Sequence, residues 1–200
     1  CYGMTETSPV SFQSGVDDPL EKRVSTVGRV HPHVQVKVID AAGRVTPRGV
    51  PGELCTRGYG VMRGYWNNPQ ATAAAFVDID GKRFFRTGDI GRIDEDGYFF
   101  MVDRLKRMIN ASGYKVWPAE VEALLYGHPA IQEACVIGAT DAHRGETVKA
   151  VVVIREASRG QVSEQDVIDW ARANMAAYKA PRIVEIVDTL PKSATGKILW

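Results

Sequence analysis

The stretch Leu-Pro-Lys-Ser-Ala-Thr-Gly-Lys at residues 190–197 places a lysine, Lys197, on a short loop bounded by proline and glycine. Such a lysine is a mobile point cation, better suited to a transferring phosphoryl group than to a packed core. A phosphate-cradling P-loop needs a glycine five residues before the Gly-Lys pair and Ser or Thr directly after it. Pro191 and Ile198 occupy those two positions, so that reading fails. Taken alone, the stretch is either a catalytic loop or an exposed basic turn, and the rest of the chain must choose.

Other stretches carry chemistry of a matching kind. Residues 1–9, Cys-Tyr-Gly-Met-Thr-Glu-Thr-Ser-Pro, set an aromatic ring, a glycine, a hydroxyl and a carboxylate side by side in Tyr2, Gly3, Thr5 and Glu6. Tyr2 is suited to stack on a base, Thr5 to hydrogen-bond a phosphate oxygen, and Glu6 to offer oxygen to Mg2+. A polar loop after a strand would contain the same residues. Residues 84–89, Phe-Phe-Arg-Thr-Gly-Asp, end an extended run with glycine beside Asp89. There the backbone can come close while the carboxylate accepts hydrogen bonds from the vicinal hydroxyls of a ribose. A turn-capping aspartate is the alternative, as in Asp-Glu-Asp-Gly at 94–97. Arg104 stands in a run of four charges at 103–107, as a ribose or phosphate ligand or as a solvated linker charge.

The elements that must position these residues follow from pattern. Residues 34–40 alternate as a strand, Ala42-Gly43 is a turn, and 52–58 resume a second strand, which together make a small antiparallel β unit. Asn68-Pro69 supplies an N-cap and a proline at the first helical position for a short alanine-rich helix to Phe76. The turn at 94–97 joins two further strands as a hairpin. We read these as scaffold. The charged run at 103–107, followed by a flexible glycine-containing loop at 110–114, is a composition break and marks a domain joint. Beyond it lie a helix from Pro118, strand-like runs at 131–140, 147–155 and 182–187, and an amphipathic helix opened by a Ser163/Asp166 capping-box variant. The expected fold is mixed α+β: residues 1–103 end a larger domain, and residues 104–200 form a compact α+β domain carrying Lys197.

Composition narrows the partners. Lys plus Arg number 25 and Asp plus Glu 24, which leaves no footprint for nucleic acid or an acidic membrane surface and points to small molecules. Cys1, Cys55 and Cys135 are odd in number and form no Cys-x-x-Cys pair, and the four histidines lack metal-ligand spacing. A reducing, cytoplasmic setting fits best. No signal peptide is present, no run reaches the roughly 18 apolar residues that span a bilayer, and an oligomer is compatible with the sequence. The chain opens at Cys1 with residues that read as the middle of a motif, so a fragment is expected.

Taken in order, Tyr-Gly-Met-Thr-Glu, Gly-Glu-Leu with Gly-Tyr-Trp-x-x-Pro-x-x-Thr, Arg-Thr-Gly-Asp, Asp-Arg-Leu-Lys-Arg-Met-Ile-x-x-Ser-Gly and Pro-Lys-Ser-x-Thr-Gly-Lys cover nearly the whole chain. The set resembles the adenylate-forming superfamily of acyl-CoA synthetases, adenylation domains and luciferases, and most of all its fatty-acid:CoA ligases. The resemblance implies ATP/AMP, Mg2+ and coenzyme A as cofactors and a carboxylic acid, a fatty acid, as substrate. It implies that Tyr2 stacks on adenine, Thr5 contacts the α-phosphate, Glu6 holds Mg2+, and Asp89 and Arg104 bind the ribose. Lys106 falls at the family's hinge, Ser112, Gly113 and Tyr114 line the pantetheine tunnel, and Lys197 serves adenylation. A lysine at contact distance from the reacting phosphorus is worth about 4 kcal/mol at an effective dielectric of about 20, roughly a thousandfold in rate.

Two departures stand out. The family's phosphate-gripping loop and acyl pocket lie upstream of Tyr-Gly-Met-Thr-Glu, outside this chain, so the isolated chain is expected to be inactive. Trp200 stands where many relatives carry a basic residue. Rival expectations are a ligase for an aromatic or other small carboxylate, one that loads a carrier protein, and a non-catalytic module that binds nucleotide or CoA.

Overall fold

The first aromatic of the chain also begins its first sheet. In the computed structural model, which describes all 200 residues, β1 (Tyr2–Gly3), β2 (Val10–Gln13) and β3 (Arg29–Val30) pair antiparallel in that order, with Tyr2 opposite Phe12. A short helix, α1 (Leu20–Ser25), interrupts them. The chain divides into two units, Cys1–Leu105 and Lys106–Trp200.

In the first unit a second sheet is built around one long strand. β4 (Gln35–Ile39) and β5 (Gly52–Arg57) form the expected antiparallel pair. After α2 (Pro69–Ala74), whose N-cap Asn68 accepts from the Ala71 amide, come β6 (Phe76–Ile79), β7 (Lys82–Ile93) and β8 (Phe99–Arg104). The order is β4-β5-β7-β6, with β8 pairing the other stretch of β7. The extended run therefore does not end at Asp89. It continues to Ile93, because the hairpin partner β8 supplies a ladder for its second half. Phe12, Val38, Leu54 and Phe99 form one buried cluster and Ile39, Cys55, Ile79 and Phe84 another.

The second unit is one mixed sheet covered on both faces. β9 (Ile109–Ala111), β10 (Tyr114–Val116), β11 (Ile131–Asp141), β12 (Gly145–Ile154) and β13 (Ile183–Ile186) run in the order β10-β9-β12-β11, with β13 parallel to β12. On one face, α3 (Pro118–Leu125) and α4 (Glu164–Asn174) bury Val121, Leu125, Val167 and Ala171 against Val148, Ala150 and Val152. The alternate residues Cys135 and Val153 meet Leu190 and Ile198 on the other face. The sheet's period of two thus dedicates one face to the helices and the other to the terminal segment.

The reading of residues 110–114 as a flexible loop is corrected. Ser112 and Gly113 are the two central residues of a tight hairpin between β9 and β10, with φ of 54° and 86°, and Asn110 Oδ1 accepts from the Gly113 amide at 3.0 Å. Positive φ at both centres is the two-residue turn that matches strand twist. Likewise Arg104 is the last residue of β8 rather than linker.

Two expectations follow from this packing. Leu125→Ala leaves a cavity beneath α3 and is expected to cost about 2–5 kcal/mol in urea unfolding. Burial raises the Cys55 thiol pKa to about 12 and also raises that of Cys135. Both should therefore resist an aromatic disulfide reagent at pH 8 in the folded chain and react once it is unfolded.

Candidate active site

The first unit gathers its site around a kink in β7. Glu53 pairs with Ile90 and Cys55 with Arg86, so residues 87–89 bulge opposite Leu54 alone. Gly88, at φ 71°, permits the bend. The Thr87 hydroxyl donates to the Leu54 carbonyl at 2.8 Å and accepts from the Asp89 amide at 3.1 Å. Glu53 is buried; its Oε2 accepts from Arg86 Nε at 3.0 Å and Nη2 at 2.6 Å, and its Oε1 from the Gly88 amide at 3.2 Å. An ion pair and an amide thus hold the bulge that aims Asp89.

Asp89 is only 4% exposed, and both of its oxygens are engaged. The Tyr2 hydroxyl donates to Oδ2 at 2.6 Å, and Arg104, directly opposite Asp89 in the β7/β8 register, sets its Nε 3.3 Å from Oδ1. Burial, followed by the hydrogen bond and the charge of Asp89, pushes the Tyr2 phenol well above its ordinary pKa. It is therefore a neutral donor to a carboxylate. The Tyr2 ring lies edge-on to Phe12 and tilted to Phe99, each at 6.0 Å between centroids. The Arg104 side chain is 65% exposed, a movable cover over a fixed carboxylate.

Thr5 and Glu6 begin a 3-10 turn, Thr5–Thr7, two residues beyond β1. The Thr7 hydroxyl donates to the Pro9 carbonyl at 2.7 Å and accepts from the Met4 amide at 3.2 Å, closing the turn and leaving the Thr5 side chain exposed. Glu6 Oε1 accepts from the Tyr65 hydroxyl at 3.1 Å. Glu6 Oε2 has no partner. No group of three or more His, Cys, Asp or Glu side chains gathers to hold a metal. A single carboxylate with one open oxygen fits Mg2+, which keeps several waters and takes most other ligands from phosphate oxygens.

The second unit carries its expected residues on two features. Ser112 and Tyr114 border a cavity of about 250 Å³, also lined by Arg144, Tyr178 and Arg182, whereas Gly113, between them in the turn, does not line it. Tyr114 and Tyr178 stack there at 5.0 Å. Lys197 sits on a small closed loop: Lys192 bridges Ile198, the Ser193 amide donates to the Lys197 carbonyl at 2.8 Å, and the Lys197 amide to the Ser193 hydroxyl at 3.2 Å. The Lys197 side chain is exposed and its ammonium has no ion-pair partner. Lys106, likewise exposed, opens the second unit inside the 3-10 turn Leu105–Arg107. Trp200 lies over the Arg107 guanidinium at 5.3 Å, and Arg107 in turn pairs with Glu122.

Sequence reading missed Glu53, Arg86 and Tyr65. Residues 52–58 passed for scaffold, yet Glu53 is the one acid in an apolar strand, and a buried acid needs a cation across the sheet. That signal was available. Tyr65 had none, because only the fold carries it 59 positions back to Glu6.

With this geometry in hand, likeness to other proteins has something to explain. Residues 1–66 match the AMP-binding enzyme family and residues 120–197 the AMP-binding enzyme C-terminal domain. The mitochondrial medium-chain acyl-CoA ligase of Rattus norvegicus is 39% identical over 98% of this chain and 31% of its own. A 4-coumarate–CoA ligase-like protein of Arabidopsis thaliana is 43% identical over 99% of this chain and 34% of its own. The chain thus spans about a third of the length of the curated relatives it matches. The ATP-bound MatB structure from Rhodopseudomonas palustris superposes with a TM-score of 0.88 at 37% identity, over 98% of this chain and 38% of that one. The two family matches together span most of the chain, which belongs to the adenylate-forming, AMP-binding enzyme family.

Proposed function

We propose that this chain is the C-terminal part of an ATP-dependent fatty-acid:CoA ligase, long- or medium-chain and AMP-forming. Residues 1–103 would end the large nucleotide-binding domain, and 104–200 would be the small mobile one. The observation that carries this reading is the buried Asp89 carboxylate, held by Tyr2 and covered by Arg104 beside the Thr5–Glu6 turn. The medium-chain relative favours an aliphatic acid. The coumarate-type relative, at 43% identity, favours an aromatic acid as the second reading.

The chemistry runs in two steps. The Asp89 carboxylate accepts from the vicinal hydroxyls of a ribose, which Arg104 also binds once it leaves that carboxylate, while adenine stacks on Tyr2 beside Gly3. The Thr5 hydroxyl donates to an α-phosphate oxygen. Glu6 offers Oε2 to Mg2+, which when bound neutralises phosphate charge. A substrate carboxylate oxygen bonds to the α-phosphorus as the bond to pyrophosphate breaks, and the Lys197 ammonium meets the negative charge that develops there. The second unit then turns about Lys106 and withdraws Lys197. The CoA sulfur, as thiolate, attacks the acyl carbon, and AMP leaves. Ser112, Gly113 and Tyr114 would line the path of the pantetheine, and Arg144 and Arg182 would face the phosphates of CoA. With no disulfide among Cys1, Cys55 and Cys135, a reducing compartment such as the cytoplasm suits the protein.

The test is AMP and pyrophosphate release by the full-length ligase with ATP and Mg2+, across fatty acids of increasing length and benzoates, with and without CoA. CoA-dependent turnover on fatty acids supports the first reading, turnover on benzoates or cinnamates the second, and no release with any acid refutes both. Lys197→Ala is expected to slow adenylate formation by about a thousandfold while sparing thioester formation from supplied acyl-adenylate. Lys106→Pro should do the reverse, because proline fixes φ at a residue that must change conformation. Equal loss of both half-reactions in stopped-flow assays would refute the hinge assignment.

A further inference from the structure

Between β5 and α2 the chain runs close along the Thr5–Thr7 turn and touches it at successive points. At Gly60 an added Cβ would come within 2.6 Å of the Thr7 carbonyl oxygen, an approach only glycine permits. The Met62 amide donates to the Glu6 carbonyl at 2.8 Å, and the Tyr65 hydroxyl donates to Glu6 Oε1 at 3.1 Å. Backbone and side chain of the same glutamate are therefore gripped by one segment.

The segment is itself braced from α2. The Tyr65 amide donates to the Thr72 hydroxyl at 2.9 Å, and that hydroxyl donates to the Asn68 carbonyl at 2.8 Å. The Asn68 amide donates back to the Tyr65 carbonyl at 3.3 Å. The N-cap that starts α2 thus also sets where the Tyr65 ring points.

We infer that Tyr65 is a positioning residue for Glu6: its hydroxyl occupies Oε1 and turns Oε2 outward as the one oxygen offered to the divalent cation. The inference rests on the nucleotide-binding reading above. A carboxylate free to rotate presents either oxygen or both, and a cation that demands near-octahedral geometry binds such a group less well. Tyr65 acts on cation affinity through Glu6.

The test uses Mn2+ in place of Mg2+ and a non-hydrolysable ATP analogue on the full-length ligase, with bound Mn2+ read by electron paramagnetic resonance. Tyr65→Phe should weaken Mn2+ in the ternary complex about three- to tenfold, the range for one lost hydrogen bond. Adenylate formation should fall at low Mg2+ and recover as Mg2+ is raised, a change in apparent Mg2+ affinity rather than in kcat. In a Glu6→Gln background, Tyr65→Phe should add nothing. Thr72→Val, which frees the Tyr65 backbone, should shift Mn2+ affinity the same way by less, and it serves if Tyr65→Phe misfolds. Unchanged Mn2+ affinity in these variants, or an undiminished effect on Glu6→Gln, overturns the inference and leaves the nucleotide-binding reading intact. A wild-type protein that binds no Mn2+ with the analogue overturns both.

Discussion

The site in the first unit depends on one buried carboxylate, that of Glu53, and its ion pair with Arg86. Glu53 and Arg86 face each other across β5 and β7 beside residues 87–89, where the ladder skips, and Glu53 spends its other oxygen on the Gly88 amide. Asp89 is buried because that bulge turns it inward, and Tyr2 and Arg104 meet it because β1 and β8 end there. Removing the half-exposed Arg86 charge would leave the buried Glu53 carboxylate without its cation, which is far more costly than the pair's net contribution to stability. The bulge, the aspartate and its two donors therefore stand or fall together.

Order and mobility are divided within the same few residues. Asp89 is fixed by register and burial, whereas Arg104 is anchored only by its backbone at the end of β8 and keeps most of its side chain in water. An exposed arginine at 3.3 Å contributes little to stability. It can leave for a ribose at small cost, whereas Tyr2, its phenol buried and hydrogen-bonded, cannot. The second unit repeats the scheme. Leu190 and Ile198 clamp the terminal loop to the sheet, so Lys197 extends from a short anchored loop rather than a free tail.

Much of this was legible beforehand. The alternation of 35–39, the Asn68 cap, the Ser163/Asp166 box and the hairpin at 94–97 are local, and local rules found them. Each site residue named from sequence lies on a turn, a strand end or a bulge, where local chemistry leaves a signature. Two of the misreadings share one cause. Residues 110–114 looked flexible and a linker charge stayed open for Arg104 beside its ribose role because glycine and charge suggest loops, yet Ser112-Gly113 is a tight turn and Arg104 has a strand partner 15 residues away.

The sequence by itself determined the family resemblance, the residue types that can hold a nucleotide and the period of several buried strands, because these depend on side-chain chemistry and neighbours along the chain. Only the tertiary structure decided that Asp89 lies beneath Arg104 and against Tyr2, and that the Tyr65 hydroxyl donates to Glu6. Those pairings span up to 87 positions, and strand register and burial, not spacing, bring their atoms within hydrogen-bonding distance.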